Sequence, residues 1–480
     1  LRLLLLAGAF VIAWGLSLHG PFHFDDHSLL RDPRIVSPDG WLEVWRPLQT
    51  RPLTQFSFWL SYQVGGNSPV GFHVWNLALH ALNCGLVWLI LSRLAPAAAL
   101  LATLLFAVHP VQAEPVNYIF ARSTLLMSSF CLMALWDWIR EHRWRAVLWF
   151  GLAVLAKEEC VTFPLFLLLL DRQKIAQAIR PAGVMLGLAL AAGLRAIAAT
   201  AATPGSGAGA EAGITPIAYA LVQGPVVLLR YMRFLLVPYS FTVDPQIDRD
   251  PAVLFAFGCW ALIGVLCVWS WRKGNIWFLA GVLLLMPSSS IFPAEDLAAD
   301  RRLYLPMLAF GTLLAGWLIL LPKQVWVALA AMLVVVSFSR TQVWNSEASL
   351  WREAVERSPG KVRPRIQLAR VSGSEDAKRL LAEAAKLEPD NPDIPNELGL
   401  HWMRAGNPAE ALGAFGRALA LAPSDAKTIN NRGAALFQLA QADAARQDFR
   451  RALQIDPCLE DARRNLRLAG GTSEGLPACR

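Results

Sequence analysis

Apolar runs alternate with short polar breaks over the first 340 residues, and then the alternation stops. The runs cover 3–19, 72–94, 96–110, 118–139, 144–157, 159–171, 181–201, 252–271, 275–292, 303–321 and 324–339. A helix crossing a bilayer upright needs roughly 20 residues, so several of these are short. The pattern predicts an all-α, polytopic membrane helical domain of about eleven spans over 1–340. Beyond it the apolar positions follow the period of amphipathic helices. Glu388-Pro389, Ala422-Pro423 and Asp456-Pro457 recur every 34 residues, the spacing of tetratricopeptide helix pairs. Ala411, Phe415, Ala418 and Leu419 align with Ala445, Phe449, Ala452 and Leu453, and Asn396 and Gly399 with Asn430 and Gly433. A C-terminal tetratricopeptide α-solenoid is expected over 361–480, with a degenerate first repeat at 361–389 and a capping helix near 461–468. A connecting helix over 341–360 would join the two parts.

Composition sharpens this division. The chain is 55% hydrophobic and carries 19 Trp, as a membrane protein with aromatic interfacial residues would. Its last 140 residues hold 20 of the 44 Lys and Arg and 18 of the 36 Asp and Glu. The net charge of +8 reads as basic cytoplasmic loops, not as a nucleic-acid surface. With the N-terminus inside, Arg93, Arg140, Arg143, Arg145, Arg172, Lys174, Arg180, Arg272, Lys273 and Lys323 fall on the cytoplasmic side. That requires 214–238, broken by Gly224-Pro225 and carrying Arg230 and Arg233, to lie in the outer interface. If it spans, every later assignment flips and the repeats move inside. No small-residue cleavage pattern precedes Phe22, so the first run reads as an uncleaved anchor. Among seven cysteines, Cys84, Cys131, Cys160, Cys259 and Cys267 lie in apolar runs, and Cys458 and Cys479 could pair in an oxidising compartment.

Candidate chemistry collects in the loops of the outer face. Asp25-Asp26, between His23 and His27, follows the first apolar run. A carboxylate there can act as a base without placing charge in hydrocarbon. Arg51, in the same loop, could orient a carboxylate bidentately. His109-Pro110 ends a run, and Glu114 could bring a further carboxylate. Arg122 stands at the mouth of the next run, where snorkelling is the alternative. Lys157-Glu158-Glu159 interrupts an apolar stretch and reads as a cavity-lining turn or a plain helix–helix turn. Asp300-Arg301-Arg302 with Tyr304 enters a run from outside, against the positive-inside bias, and its guanidinium groups suit a lipid phosphate. Neither a nucleotide-binding fingerprint nor a zinc-protease motif is present.

Taken together, these residues resemble a known family, the transmembrane and tetratricopeptide repeat-containing proteins and their bacterial relatives, of the GT-C class of membrane glycosyltransferases. The resemblance runs nearly end to end. It is carried by Phe24-Asp25-Asp26, Arg51-Pro52-Leu53-Thr54, Phe72-His73-Val74-Trp75-Asn76 with His80, and Leu105-Phe106-Ala107-Val108-His109-Pro110 with Glu114. It continues through Ala121-Arg122-Ser123, Lys157-Glu158, Asp300-Arg301 with Tyr304-Leu305-Pro306, and Trp344-Asn345-Ser346 with Leu350-Trp351. It implies transfer of a monosaccharide such as mannose from a polyprenyl- or dolichyl-phosphate donor to a hydroxyl of a protein acceptor, at the non-cytoplasmic face. Asp25, Asp26 and Glu114 would be catalytic, with Asp25 favoured as base and Asp26 as its partner. Arg301, Arg302, Arg122 and Tyr304 would hold the donor phosphate, and Arg51, His73, His109 and Lys157 would support the site. No cofactor is required, the lipid-phosphate sugar being a substrate; a divalent cation at Asp25, Asp26 and Glu114 is compatible with the chemistry. The repeats would hold the acceptor outside a bacterial inner membrane, or in the endoplasmic reticulum lumen of a eukaryote. A non-catalytic membrane-anchored repeat scaffold needs only the tail, and a transporter would want polar residues deep within spans.

Overall fold

The computed structural model describes residues 2–46, 49–201, 212–290, 292–472 and 474–479, whose regular structure is helical, with no β-strand. The chain divides into two compact units, Leu1–Ser346 and Glu347–Arg480.

Among the described residues of the first unit, five helices are long and apolar enough to cross a bilayer: Pro69–Leu94, Ile119–Ile139, Ile175–Thr200, Val253–Arg272 and Lys323–Val343. Ala99–Val108 and Pro110–Asn117 would add a sixth if read as one span bent by 46°. The bend follows from Pro110, which has no N–H to continue the ladder, after an extended His109. Leu6–His19, Trp277–Ser288 and Met307–Leu318 are apolar but shorter. Helix length therefore does not establish the expected eleven spans. The runs at 144–157 and 159–171 fold as Arg143–Ala156 and Phe163–Leu170, parted by an extended Lys157 and a tight turn over Glu158–Cys160. Residues 216–236 are helical throughout, widening to a π turn over Val226–Tyr231.

Polar contacts help to hold this unit together. Among membrane helices, association rests on close packing and interhelical hydrogen bonds, because lipid is as apolar as leucine. Asn76, His80 and Asn83 lie three to four residues apart on one face of Pro69–Leu94. Asn76 donates to the Tyr118 carbonyl at 3.1 Å, the His80 ring reaches the Ala107 carbonyl at 3.2 Å, and Asn83 donates to the Leu125 carbonyl at 3.1 Å. The polar stretch after the first helix folds into short helices, Asp26–Leu29, Pro33–Val36 and Gly40–Glu43, followed by Pro52–Gly65. They enclose a small core of Phe22, Leu29, Ile35, Phe58, Phe72 and Ile119. That core sets the Asp25-Asp26 turn against residues 118–120.

The second unit is a stack of helix pairs: Arg363–Arg370 with Ser374–Leu387, Asp393–Arg404 with Pro408–Leu421, and Ala426–Gln438 with Ala442–Ile455. Glu347–Arg357 packs before them and Glu460–Leu468 after them. Residues 341–360 do not form one connecting helix. Thr341–Val343 finish the apolar helix, the chain breaks at Trp344-Asn345-Ser346, and Glu347–Arg357 belongs to the repeats. Asn and Ser favour such breaks because their side chains compete for backbone partners. A disulfide joins Cys458 to Cys479. Arg450 holds the returning tail through the Thr472 carbonyl at 3.0 Å and the Glu474 carbonyl at 2.8 Å.

Candidate active site

The site is built on one helical turn. In Ala113–Asn117 the Glu114 carbonyl accepts from the Tyr118 amide at 3.0 Å, so the two residues are the ends of a single i to i+4 step. Tyr118 donates its hydroxyl to Asp25 Oδ2 at 2.9 Å. Glu114 accepts from the Arg301 backbone N–H at 2.9 Å and from the Arg301 guanidinium. Three loops far apart in sequence therefore meet on six residues.

The neighbouring carboxylates differ. Asp25 is exposed. Asp26 is fully buried, its two oxygens accepting from the His23 amide at 2.9 Å and the Phe120 amide at 2.8 Å. Burial pushes the Asp26 carboxyl up to about 8, against the pull of those amides. At neutral pH it is mostly protonated. Burial also raises the Tyr118 hydroxyl above its ordinary range, helped by Asp25 and Asp26, so it remains a donor. The Tyr118 ring stacks on Trp344 at 6.1 Å and meets Phe24 edge-on at 5.6 Å. Phe24 (φ 48°) and Arg51 (φ 53°) both take left-handed backbone, which side chains other than glycine adopt at a cost and which recurs at functional sites.

A second charged layer comes from the break after Arg143–Ala156. Arg51 binds Glu158 bidentately, at 3.1 and 2.5 Å. Burial works against the Glu158 charge, but the Arg51 guanidinium outweighs it and holds the carboxyl down to about 2. Lys157 is buried and donates to Thr124 Oγ1 at 2.9 Å and pairs with Glu159 at 2.8 Å. Burial lowers its ammonium, with the positive fields of Arg51 and Arg301 adding to the effect. Asp25, Glu114, Arg301, Arg51 and Lys157 thus form one charged neighbourhood.

Other expected site residues turn into the framework. Arg122 is completely buried, does not snorkel, and bonds to Asn76 Oδ1, Ser61 Oγ and the Ser57 and Phe72 carbonyls at 2.7–3.0 Å. Arg302 spends its donors on the Leu297 and Asp296 carbonyls and the Tyr219 hydroxyl. Tyr304 is buried between His80 and Asn83. His73 meets the Gly20 carbonyl at 3.1 Å, and His109 Nδ1 accepts from the Val111 amide at 3.2 Å. Reaching a phosphate would strip these groups of buried partners, which is costly. Glu114 is not a free third carboxylate, because it clasps Arg301. Among the described residues no group of three or more His, Cys, Asp or Glu side chains is placed to hold a metal ion. Tyr118 escaped the sequence reading; its one signal was its place four residues after Glu114.

Comparison with known proteins shows what the chain is similar to. Over 443 residues the chain is 26% identical to a protein O-mannosyl-transferase of Caenorhabditis elegans, covering 81% of this chain and 63% of that one. This chain is a relative of the transmembrane and tetratricopeptide repeat-containing protein O-mannosyl-transferases. It is also 24% identical to human TMTC3, over 87% of this chain and 55% of the relative. Human TMTC4 is 34% identical over 28% of this chain and 22% of its own. The chain thus spans less than two thirds of the length of each of these relatives. No family model matches. Two solved structures, the first tetratricopeptide domain of Spaghetti and the Cut9–Hcn1 hetero-tetramer, align at TM-scores of 0.20 and 0.26. They are 23% and 14% identical, covering 26% and 92% of this chain and 90% and 87% of theirs.

Proposed function

We propose that the chain is an integral-membrane glycosyltransferase of the GT-C type, moving a monosaccharide from a polyprenyl- or dolichyl-phosphate donor to a hydroxyl of a protein acceptor. Mannose is the sugar its relatives' names point to. The observation that carries the reading is the turn that bonds an exposed carboxylate, Asp25, at one end and clasps a guanidinium, Arg301, at the other. A base and a cation on a shared frame are what displacement of a lipid phosphate needs.

Asp25 takes the proton of the acceptor hydroxyl as its oxygen attacks the anomeric carbon. The bond from that carbon to the phosphate oxygen breaks, and the electron pair leaves with the lipid phosphate. Arg301 meets that charge, in a direction set by Glu114. One displacement inverts the sugar. Tyr118 holds Asp25 in place, and Asp26, largely neutral, pins the turn beneath it without competing for the proton. A divalent cation is not needed in this scheme. The repeats would hold the acceptor protein along their concave face.

The site is assigned to the non-cytoplasmic face of a bacterial inner membrane, or to the lumenal face in a eukaryote. The Cys458–Cys479 disulfide supports that side, since such bonds persist in oxidising compartments. A repeat scaffold without activity would leave the Asp25–Tyr118 and Glu114–Arg301 contacts without a role. The test is transfer from a prenyl-phosphate mannose to membrane-protein acceptors, followed by glycan mass spectrometry. Asp25→Asn should lower turnover by about a hundredfold or more while the protein stays inserted and monodisperse. Full activity in that variant would overturn the mechanism.

A further inference from the structure

A groove of about 350 Å³ lies between the π turn of 216–236 and the start of Val253–Arg272. That volume is in the range of small-molecule sites, about 300–1,000 Å³. Its walls include Leu229, Arg230, Arg233, Ile247, Asp248 and Phe255. Phe255 stands in the first turn of a helix long and apolar enough to cross a membrane. Leu229 and Phe255 are 54% and 51% exposed, so an apolar surface borders the cations.

The two guanidinium groups are unevenly used. Arg230 donates to Asp300 Oδ1 at 2.8 Å and lies 4.5 Å over the Phe234 ring, yet its buried Nε–H has no acceptor among the described residues. A buried donor in that state calls for an acceptor. Arg233 lies 5.2 Å over the same ring and has no ion pair among the described residues. Asp248 adds one exposed carboxylate, which accepts from the Asp250 amide at 3.0 Å. Asp300 precedes Arg301, the residue clasped by Glu114. One dipeptide therefore joins the groove to the proposed catalytic turn.

We propose that this groove seats the phosphate of the lipid-linked sugar donor, with Arg230 and Arg233 on the phosphate oxygens and the prenyl chain along Leu229 and Phe255. The proposal rests on the reading of the chain as a lipid-phosphate glycosyltransferase. A soluble phosphate would gain nothing from the apolar wall, and an uncharged lipid nothing from the guanidinium groups. The phosphate oxygen that carries the sugar would face Asp300 and Arg301, so that the anomeric carbon is presented toward Asp25. Arg301 then acts on the charge that develops during transfer, while Arg230 and Arg233 hold the charge already present in the donor.

The test uses the full chain in detergent micelles, with citronellyl-phosphate mannose as probe and binding read by thermophoresis. Arg233→Gln should weaken binding by about tenfold or more, the size of a lost charge-assisted contact, and Arg233→Lys should restore part of it. Asp248→Asn should tighten binding. Arg230→Gln also releases Asp300, so Arg233 carries the decision. Unchanged affinity in Arg233→Gln overturns the proposal. So does equal binding of inorganic phosphate, or of phosphatidylglycerol added in mixed micelles. If wild type transfers mannose while Arg233→Gln binds the probe normally, the groove assignment falls and the enzyme reading stands. If wild type neither binds the probe nor transfers, both fall.

Discussion

Asp25 and Asp26 are neighbours in the chain with opposite surroundings. One faces solvent and leans on a tyrosine hydroxyl; the other is sealed beneath two backbone amides. The consequence for stability has a definite sign. A carboxyl raised from about 3.8 to about 8 by burial holds more protons folded than unfolded between those values, so stability falls as pH rises across that window. The contribution is fully present below the unfolded value and lost as pH passes the folded one. Thermal unfolding in detergent should therefore show a midpoint that declines from pH 5 to pH 9. Asp26→Asn should flatten that slope. It should also cost about 1–3 kcal/mol, because an amide turns its own donor toward an N–H. A slope unchanged in the variant would assign the titration to another group.

At the scale of elements, the turn Ala113–Asn117 does more than its length suggests. It is short because Pro110 bends the helix before it and Tyr118 returns to extended backbone after it. From Glu114 to its cap at Tyr118 it offers one residue to each of two distant loops. The repeat unit shows the same economy in its small residues. A Cβ added to Gly433 would meet Phe449 at 2.7 Å, and one on Gly399 would run into Phe415. These equivalent positions let the first helix of each pair lie against the aromatic ring of the second. Gly433→Ala should destabilise the repeat unit by about 1–3 kcal/mol through overpacking, measurable by chemical denaturation of the full protein followed by circular dichroism. No loss of stability would mean the ring can move aside. The spacing that exposes these glycines was legible in the sequence, since 34-residue phase depends only on local period. The break at 344–346 was not, because a connecting helix and the end of a span look alike until the next helix has a partner.

For the whole molecule, the sequence made the division into an apolar half and a repeat half legible, and also the loops that hold the charges. It did not show which charges meet. Glu114 and Arg301 are 187 positions apart, and nothing local distinguishes a carboxylate awaiting substrate from one clasping an arginine. Arg122 illustrates the same limit. An arginine at the end of an apolar run fits a lipid interface, a phosphate site or a buried staple equally well, and only the facing helices, with Ser57, Ser61, Phe72 and Asn76, decide for the last. Tyr118 was hidden for the converse reason: tyrosine near a membrane boundary is ordinary, and its value lies in one hydroxyl contact.

The bridge that returns the C-terminal tail to the last repeat also makes the protein a recorder of the compartment it passed through. The other five cysteines are Cys84, Cys131, Cys160, Cys259 and Cys267, all in the membrane unit. Exposed to a reducing cytosol, Cys458 and Cys479 would be two alkylatable thiols; beyond the membrane they would be sealed. Cells lysed directly in denaturant containing a maleimide-functionalised polyethylene glycol, with and without prior reduction, should give a band that gains two further labels only after reduction. Labelling of both sites without reductant would place the repeats in the cytoplasm and remove the acceptor-holding role from them. No tag or fusion is needed, because the sequence carries its own topology mark.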